Sequence, residues 1–251
     1  MSVWRVGRAP PRGQSPDQVV RTMCVRNSCL QYLDSRDVKG IADGADVTTW
    51  PARIGADPTQ PSAPLRPSYD VAGFVDFDNV GESMPTPAID LSTSSELTFV
   101  IACHTRDAAG SGRVWEHGTV YFTTDGVSCA LSSKRPAIGH GGPGAAQIGY
   151  RTSAKALRDV AVIGGAFDRA ASLDAIYMHT QDGEIIDFAA TDTNDTTGDY
   201  GANASQLGSR DNGASLPLNG GVAVGVWLPV LLPRRERNAL VMAVAQIVGV
   251  R

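Results

Sequence analysis

Leu97-Thr98-Phe99-Val100-Ile101-Ala102-Cys103-His104 is the stretch on which the fold turns. In an extended chain Leu97, Phe99, Ile101 and Cys103 share one face, and Val100 and Ala102 lie on the other. A strand that is apolar on both faces belongs inside a sheet with cover on each side. Upstream, residues 73–78 alternate, with Val75 and Phe77 opposed to Asp76 and Asp78. Further short strands are predicted at Cys29 to Leu33, Thr119 to Thr123, Val127 to Leu131, Gln147 to Tyr150, Val160 to Phe167 and Val222 to Leu228. Spaced strands with Gly-rich turns and no alternating helices indicate an all-β sandwich or barrel.

Composition agrees. Gly (27) and Pro (15) together fill 42 of 251 positions, against 16 aromatics and a charged share of only 19%, and a single all-β unit can fill that length. A hydrophobic fraction of 42% excludes global disorder, and a net charge of −4 excludes a protein that tracks nucleic-acid backbone. No apolar run approaches the roughly 20 residues of a membrane span. The five prolines between Trp50 and Tyr69 (51, 58, 61, 64 and 67) predict a surface loop pinned by those two aromatics.

One hairpin can be specified by residue. Asp182-Gly183 between apolar stretches predicts a type I′ turn. A two-residue loop then sets Gln181 opposite Glu184, His179 opposite Ile186 and Tyr177 opposite Phe188. At the C-terminal end, Leu240, Val241, Val244, Ile247 and Val248 form one helical stripe over 233–248, with Pro233 at its start and Gly249 at its stop. Arg234, Arg235 and Arg237 read as a solvated basic end, or as a face for an anionic partner. Residues 1–28 are rich in Arg, Pro and Gln and read as an arm, with at most a short amphipathic turn from Gln18 to Val25. The first dozen residues lack the apolar core of a secretory signal, which implies synthesis in a reducing cytoplasm. Cys24, Cys29, Cys103 and Cys129 contain no C-x-x-C pair, so they read as reduced thiols and not zinc ligands.

Motifs for catalysis fail on context. Gly139-His140-Gly141-Gly142-Pro143-Gly144 matches G-x-G-x-x-G, but no apolar strand precedes it and Pro143 deletes a phosphate-facing amide, so a flexible glycine loop is expected. The His140-Gly141-Gly142 piece has no G-x-S-x-G nucleophile elbow to serve. Glu184 and Asp187 fall on opposite faces of a strand, which does not give the paired carboxylates of a glycosidase. The four histidines lack metal spacing, and catalytic and metal residues are therefore read as none. Asp192 to Asp199 is a dense set of oxygen ligands. It could hold Ca²⁺ or form a solvated loop of Asx turns, and no other cofactor is indicated.

From Leu30 to Val250 the order of segments resembles the concanavalin A-like (laminin-G-like) jelly-roll domain of tailed-phage and phage-derived particle proteins. The resemblance is carried by Leu30-Gln31-Tyr32-Leu33-Asp34-Ser35-Arg36-Asp37 and Val47-Thr48-Thr49-Trp50, then Arg66-Pro67-Ser68-Tyr69, Val75-Asp76-Phe77-Asp78 and Leu97-Thr98-Phe99-Val100. Leu207-Gly208-Ser209-Arg210-Asp211-Asn212-Gly213, Leu218-Asn219-Gly220-Gly221-Val222-Ala223 and Leu231-Leu232-Pro233-Arg234-Arg235-Glu236-Arg237 complete it. Gly221 stands where the family usually has Asp, Val224 where it has Glu, Leu228 where it has Tyr and Pro233 where it has a Ser or Thr cap.

The resemblance implies a jelly-roll sandwich of two antiparallel sheets over 29–251, with a short C-terminal helix and the arm at 1–28. It further implies a non-enzymatic, virion-associated lectin-like protein that binds host cell-surface polysaccharide. A purely structural capsid or tail decoration protein is the alternative, and a glycan-cleaving enzyme on the same fold a third. Sugar binding needs aromatic faces with amides or carboxylates; Trp115, Tyr121, Tyr177, Asn194 and Tyr200 are the candidates. The arm would join other virion subunits or sister copies in a homo-oligomer.

Overall fold

Period-two alternation builds two antiparallel sheets, which the computed structural model describes over residues 3–5, 13–106, 112–118, 126–141, 148–153, 156–157, 160–169, 176–181, 184–187, 200–210 and 213–250. The strands in the first half are β1 (Val3–Arg5), β2 (Gln31–Asp34), β3 (Ala52–Ile54), β4 (Ser68–Asp70), β5 (Phe74–Asp78), β6 (Met84–Asp90), β7 (Glu96–Thr105) and β8 (Gly112–His117). The second half supplies β9 (Val127–Ser132), β10 (Arg135–Gly141), β11 (Ile148–Thr152), β12 (Ala161–Asp168), β13 (Ile176–Gln181), β14 (Glu184–Asp187), β15 (Ala202–Leu207) and β16 (Asn219–Leu228). Two helices flank them, α1 (Pro16–Arg26) and α2 (Arg234–Ile247).

Ten strands form the larger sheet, in the order β1-β14-β13-β12-β7-β16-β2-β3, and β5 pairs the remaining edge of β16 and carries β4. The six-stranded sheet runs β11-β10-β9-β8-β15-β6. This is the jelly-roll sandwich the sequence predicts. The two faces of β7 explain the layering. Leu97, Phe99, Ile101 and Cys103 enter the core between the sheets, while Val100 and Ala102 enter a second core beneath the helices. In the first core Trp115 of β8 meets Phe99 and Trp227 at ring-centroid distances of 5.3 and 5.4 Å. A bulge between Val222 and Val224 turns both Ala223 and Val224 toward the helix side.

The hairpin register is as predicted where it is described: Gln181 pairs Glu184, Thr180 pairs Ile185, His179 pairs Ile186 and Met178 pairs Asp187. Asp182, Gly183 and Phe188 lie outside the described residues, as does the strand predicted at Thr119 to Thr123. The proline-rich loop is corrected in part. Ala52–Ile54 pairs as an edge strand and Ser68–Asp70 pairs β5, both compatible with the flanking prolines because neither is central. Trp50 is fully buried beneath this segment.

The N-terminal segment differs most from expectation. Ser15 caps α1 through Gln18 N–H at 3.3 Å, Gln18 Oε1 accepts from Ser15 N–H at 2.8 Å, and Pro16 opens the helix. Val19, Val20 and Cys24 are buried in the second core, facing Leu240, Val241 and Val244 of α2. The apolar groups of the expected arm are therefore occupied within the chain itself. Asp17 accepts from Arg36 Nη2 and Arg53 Nη1, each at 2.7 Å. Burial alone would raise the Asp17 carboxyl, but the hydrogen bonds from Arg36 and then Arg53 outweigh it and hold it below its ordinary value. Trp4 of β1 pairs Ile185, adding an edge strand beside β14.

The C-terminal helix runs as predicted and ends at Gly249 (φ 74), where Val250 N–H donates to Ala245 O at 2.9 Å and Gly249 N–H to Gln246 O at 3.3 Å. Its basic start is corrected at Arg237, which is buried and donates to Leu232 O at 2.6 Å. Glu236 pairs Arg26 of α1 at 3.1 Å. No described helix is long and apolar enough to cross a membrane.

Candidate functional site

Three strands place one polar row on the outer face of the ten-stranded sheet. Alternation in β5 sends Val75 and Phe77 into the core and Phe74, Asp76 and Asp78 to the opposite face. Alternation in β7 puts His104 on the face of Val100 and Ala102. Between them β16 contributes Gly221, which registers with Asp76 on one side and His104 on the other. The middle position carries no side chain, so its two neighbours close over it: His104 Nε2 lies 2.9 Å from Asp76 Oδ1. A Cβ on Gly221 would collide with Asp76 Oδ1 and sit 2.7 Å from His104 Nε2. The glycine at position 221 thus has a physical reason here. Val224 and Leu228, on the same strand, are buried against the helix pair.

Arg106 pairs the second oxygen of Asp76, and Phe74 sets its ring edge-on to His104 at 4.5 Å. Asp76 is almost fully buried, whereas the Arg106 side chain is 46% exposed. Beside them Glu82 Oε2 accepts from Asp78 N–H at 2.9 Å, and Asp78 Oδ1 accepts from Val80 N–H at 2.8 Å. Burial, then the Asp78 carboxylate, pushes Glu82 up to about 7, with Asp46 adding and Arg106 opposing. The site therefore offers the Arg106 guanidinium, the exposed Asp78 side chain and a Glu82 carboxyl that can donate or accept near neutral pH. Such a mixture matches sugar hydroxyls, which donate and accept at once.

Other polar groups are committed to the fold. Glu116 receives Arg210 at 2.9 Å and Arg113 at 3.0 Å, and Arg113 reaches Ser128 Oγ at 2.6 Å, all on the outer face of the six-stranded sheet. His117 is buried with Nε2 2.9 Å from Gly201 O and Nδ1 3.0 Å from Ser205 Oγ. Burial lowers it to about 4 against the Gly201 hydrogen bond, so the ring is neutral at pH 7.

The candidate sugar-binding residues do not assemble as the sequence reading expects. Trp115 has no exposed surface because it fills the centre of the sandwich. Tyr200 is equally buried, its ring under the Arg169 guanidinium at 4.8 Å. Neither presents a face to a ligand, and both are corrected to core. Tyr177 lies on β13 opposite Gly165, with its side chain outside the described residues, as are Tyr121, Asn194 and the whole of Asp192 to Asp199. Gly139 to Gly141, expected in a loop, instead continue β10 and pair with β9 and β11. Among the described residues no group of three or more His, Cys, Asp or Glu is placed to hold a metal. Sequence reasoning missed Asp76, His104 and Arg106 as a unit, since only the register across β16 joins positions so far apart in the chain.

No family model matches the chain, and no curated protein matches it. Solved structures do. The Trypanosoma rangeli sialidase in complex with the inhibitor DANA matches at a TM-score of 0.56 and 13% identity, over 86% of this chain and 33% of that one. A mutant of that sialidase displaying trans-sialidase activity matches at 0.56 and 12%, over 93% and 37%. The Ruminococcus gnavus IT-sialidase CBM40 bound to alpha2,3 sialyllactose matches at 0.43 and 15%, over 62% of this chain and 97% of its own. The chain spans about a third of the Trypanosoma proteins. At these identities the likeness is one of fold: an antiparallel β-sandwich shared with part of a sialidase.

Proposed function

We propose that the chain is a non-enzymatic, lectin-like component of a phage or phage-derived particle whose sandwich binds host cell-surface polysaccharide. The observation that carries glycan binding is the Asp78–Glu82–Arg106 rim around the Asp76–His104 pair, a set of solvent-reached donors and acceptors on a rigid three-strand platform. The sandwich fold, shared with part of a glycan-acting protein, supports the same reading. The particle assignment rests on the ordered jelly-roll phrases of the sequence. Attachment to other virion subunits would use the outer side of α1, where Val25 and Arg26 are exposed.

A purely structural decoration protein is the second reading. It is favoured by one observation: the exposed large hydrophobic residues among those described are Val25, Val71, Val80 and Leu216, none of them aromatic. Incubating the purified protein with capsular polysaccharides and O-antigens separates the readings. Retention without cleavage supports the first, absence of binding supports the second, and release of oligosaccharides overturns the non-enzymatic assignment.

A further inference from the structure

The end of α1 is built so that two thiols meet. Asn27 caps the helix, Ser28 takes the left-handed conformation (φ 52), and Cys29 N–H donates to Cys24 O at 2.9 Å. This is the six-to-one hydrogen bond of a Schellman turn, in which the residue after the turn packs against the third residue from the helix end. In most proteins two apolar side chains make that contact. Here the two positions are Cys29 and Cys24. The hydrogen bond draws the backbones of the two cysteines together, which is the first requirement of a disulfide. The Cys29 thiol is also the leading cause that raises the Cys24 thiol above its ordinary value.

We propose that Cys24 and Cys29 form a reversible disulfide that locks the junction between α1 and the sandwich. The two thiols differ in access. Cys29 is half-buried, its Sγ donating to Gln31 O at 3.1 Å, while Cys24 is buried under the helix. A low-molecular-weight disulfide such as glutathione disulfide therefore meets Cys29 first. The Cys29 thiolate attacks one sulfur of glutathione disulfide, forming a mixed disulfide and expelling one glutathione thiolate. The Cys24 thiolate then attacks the Cys29 sulfur, forming the internal bond and expelling the second glutathione. Two protein thiols are oxidised, one external disulfide is reduced to two thiols, and the two protons pass to the glutathione thiolates or to water.

The other two cysteines cannot follow. Cys103 on β7 and Cys129 on β9 are fully buried in the core between the sheets, where an external disulfide cannot reach them in the folded protein. Downstream of the turn, Leu30 N–H donates to Trp227 O at 2.9 Å, so the locked turn is tied directly to β16. The cross-link would restrict how far α1 can leave the second core.

The test is to treat the folded full-length protein with glutathione disulfide and map it after trypsin cleavage, which cuts after Arg26 and separates the two cysteines. The expected product is a disulfide-linked pair of peptides, Thr22–Arg26 and Asn27–Arg36, a mass loss of about 2 Da and a fall from four free thiols to two. The oxidised protein should melt several degrees higher, on the order of 4–8 °C, and a dithiol reductant should reverse the shift. Cys29→Ser, at a half-buried position where folding is little disturbed, should abolish both the linked peptides and the shift. Four unmodified thiols, a glutathione adduct on Cys29 that never closes, or linkage through Cys103 or Cys129 would each overturn the proposal.

Discussion

Val20→Ala tests whether α1 is an integral layer of the domain. Val20 has no exposed surface and packs in the second core between α1, α2 and the larger sheet. Removing two methyl groups forfeits ~0.8 kcal/mol each in transfer free energy, and the void left in a site clamped by a helix pair adds to that. The expected loss is about 1.5–3 kcal/mol, which for a chain of this size lowers Tm by about 4–8 °C. Val25 lies on the same helix but is 79% exposed, so Val25→Ala is the internal control and should stay within about 0.5 kcal/mol. Urea titration of both variants, read by tryptophan fluorescence, gives the comparison directly. Trp50, Trp115 and Trp227 are all buried and report the sandwich rather than the helix. If the two variants shift the midpoint equally, α1 is not seated in the core and the layering described here fails. A chain begun at Ser28 should likewise be strongly destabilised, contrary to the reading of residues 1–28 as a detachable arm.

Other consequences can be measured with the same assay. His117 is held at about 4 against an ordinary 6.5, so its contribution to stability is full above pH 6.5 and declines as pH falls toward 4, by about 3 kcal/mol in all; in the Glu82→Gln protein, which lacks the opposing carboxyl, a flat profile through that window would contradict its neutral, buried state. Glu82 shifts the other way: raised from 4.5 to about 7, it makes the folded state lose stability as pH climbs through that interval, and Glu82→Gln should remove that slope. Gly165→Ala would place a Cβ 2.5 Å from the Phe99 ring and 2.8 Å from Phe167, an overpacking that should cost about 1–3 kcal/mol and give a visibly lower melting temperature.

What could be read from the chain in advance was local and periodic. The dual apolar faces of Leu97 to His104 gave the layering, and the hairpin register around 181–184 followed from turn length alone. The α1 helix had a legible signal, because Ser15-Pro16-Asp17-Gln18 is a capping box with proline at the first helical position and Val19, Val20, Met23 and Cys24 share one face. Its arginines drew attention to charge instead. Trp115 was harder: a bulge between Arg113 and Trp115 turns both Val114 and Trp115 inward, and strict alternation cannot anticipate an inserted residue. The Asp76–His104 pair was out of reach for a different reason. Nothing in either local pattern says that a glycine of a third strand, far along the chain, will register between them and let them meet.

The most direct test of the glycan reading is a calorimetric titration of host surface polysaccharide fragments into the intact protein and into Arg106→Ala and Asp78→Asn, two exposed positions on the rim. Measurable binding to the intact protein is expected, weakened tenfold or more, about 1.4 kcal/mol, in each variant, with the melting temperature little changed by Asp78→Asn and lowered by Arg106→Ala, which removes a partner of the buried Asp76. Binding that survives both substitutions undiminished, or no binding by the intact protein to any fragment, would contradict it.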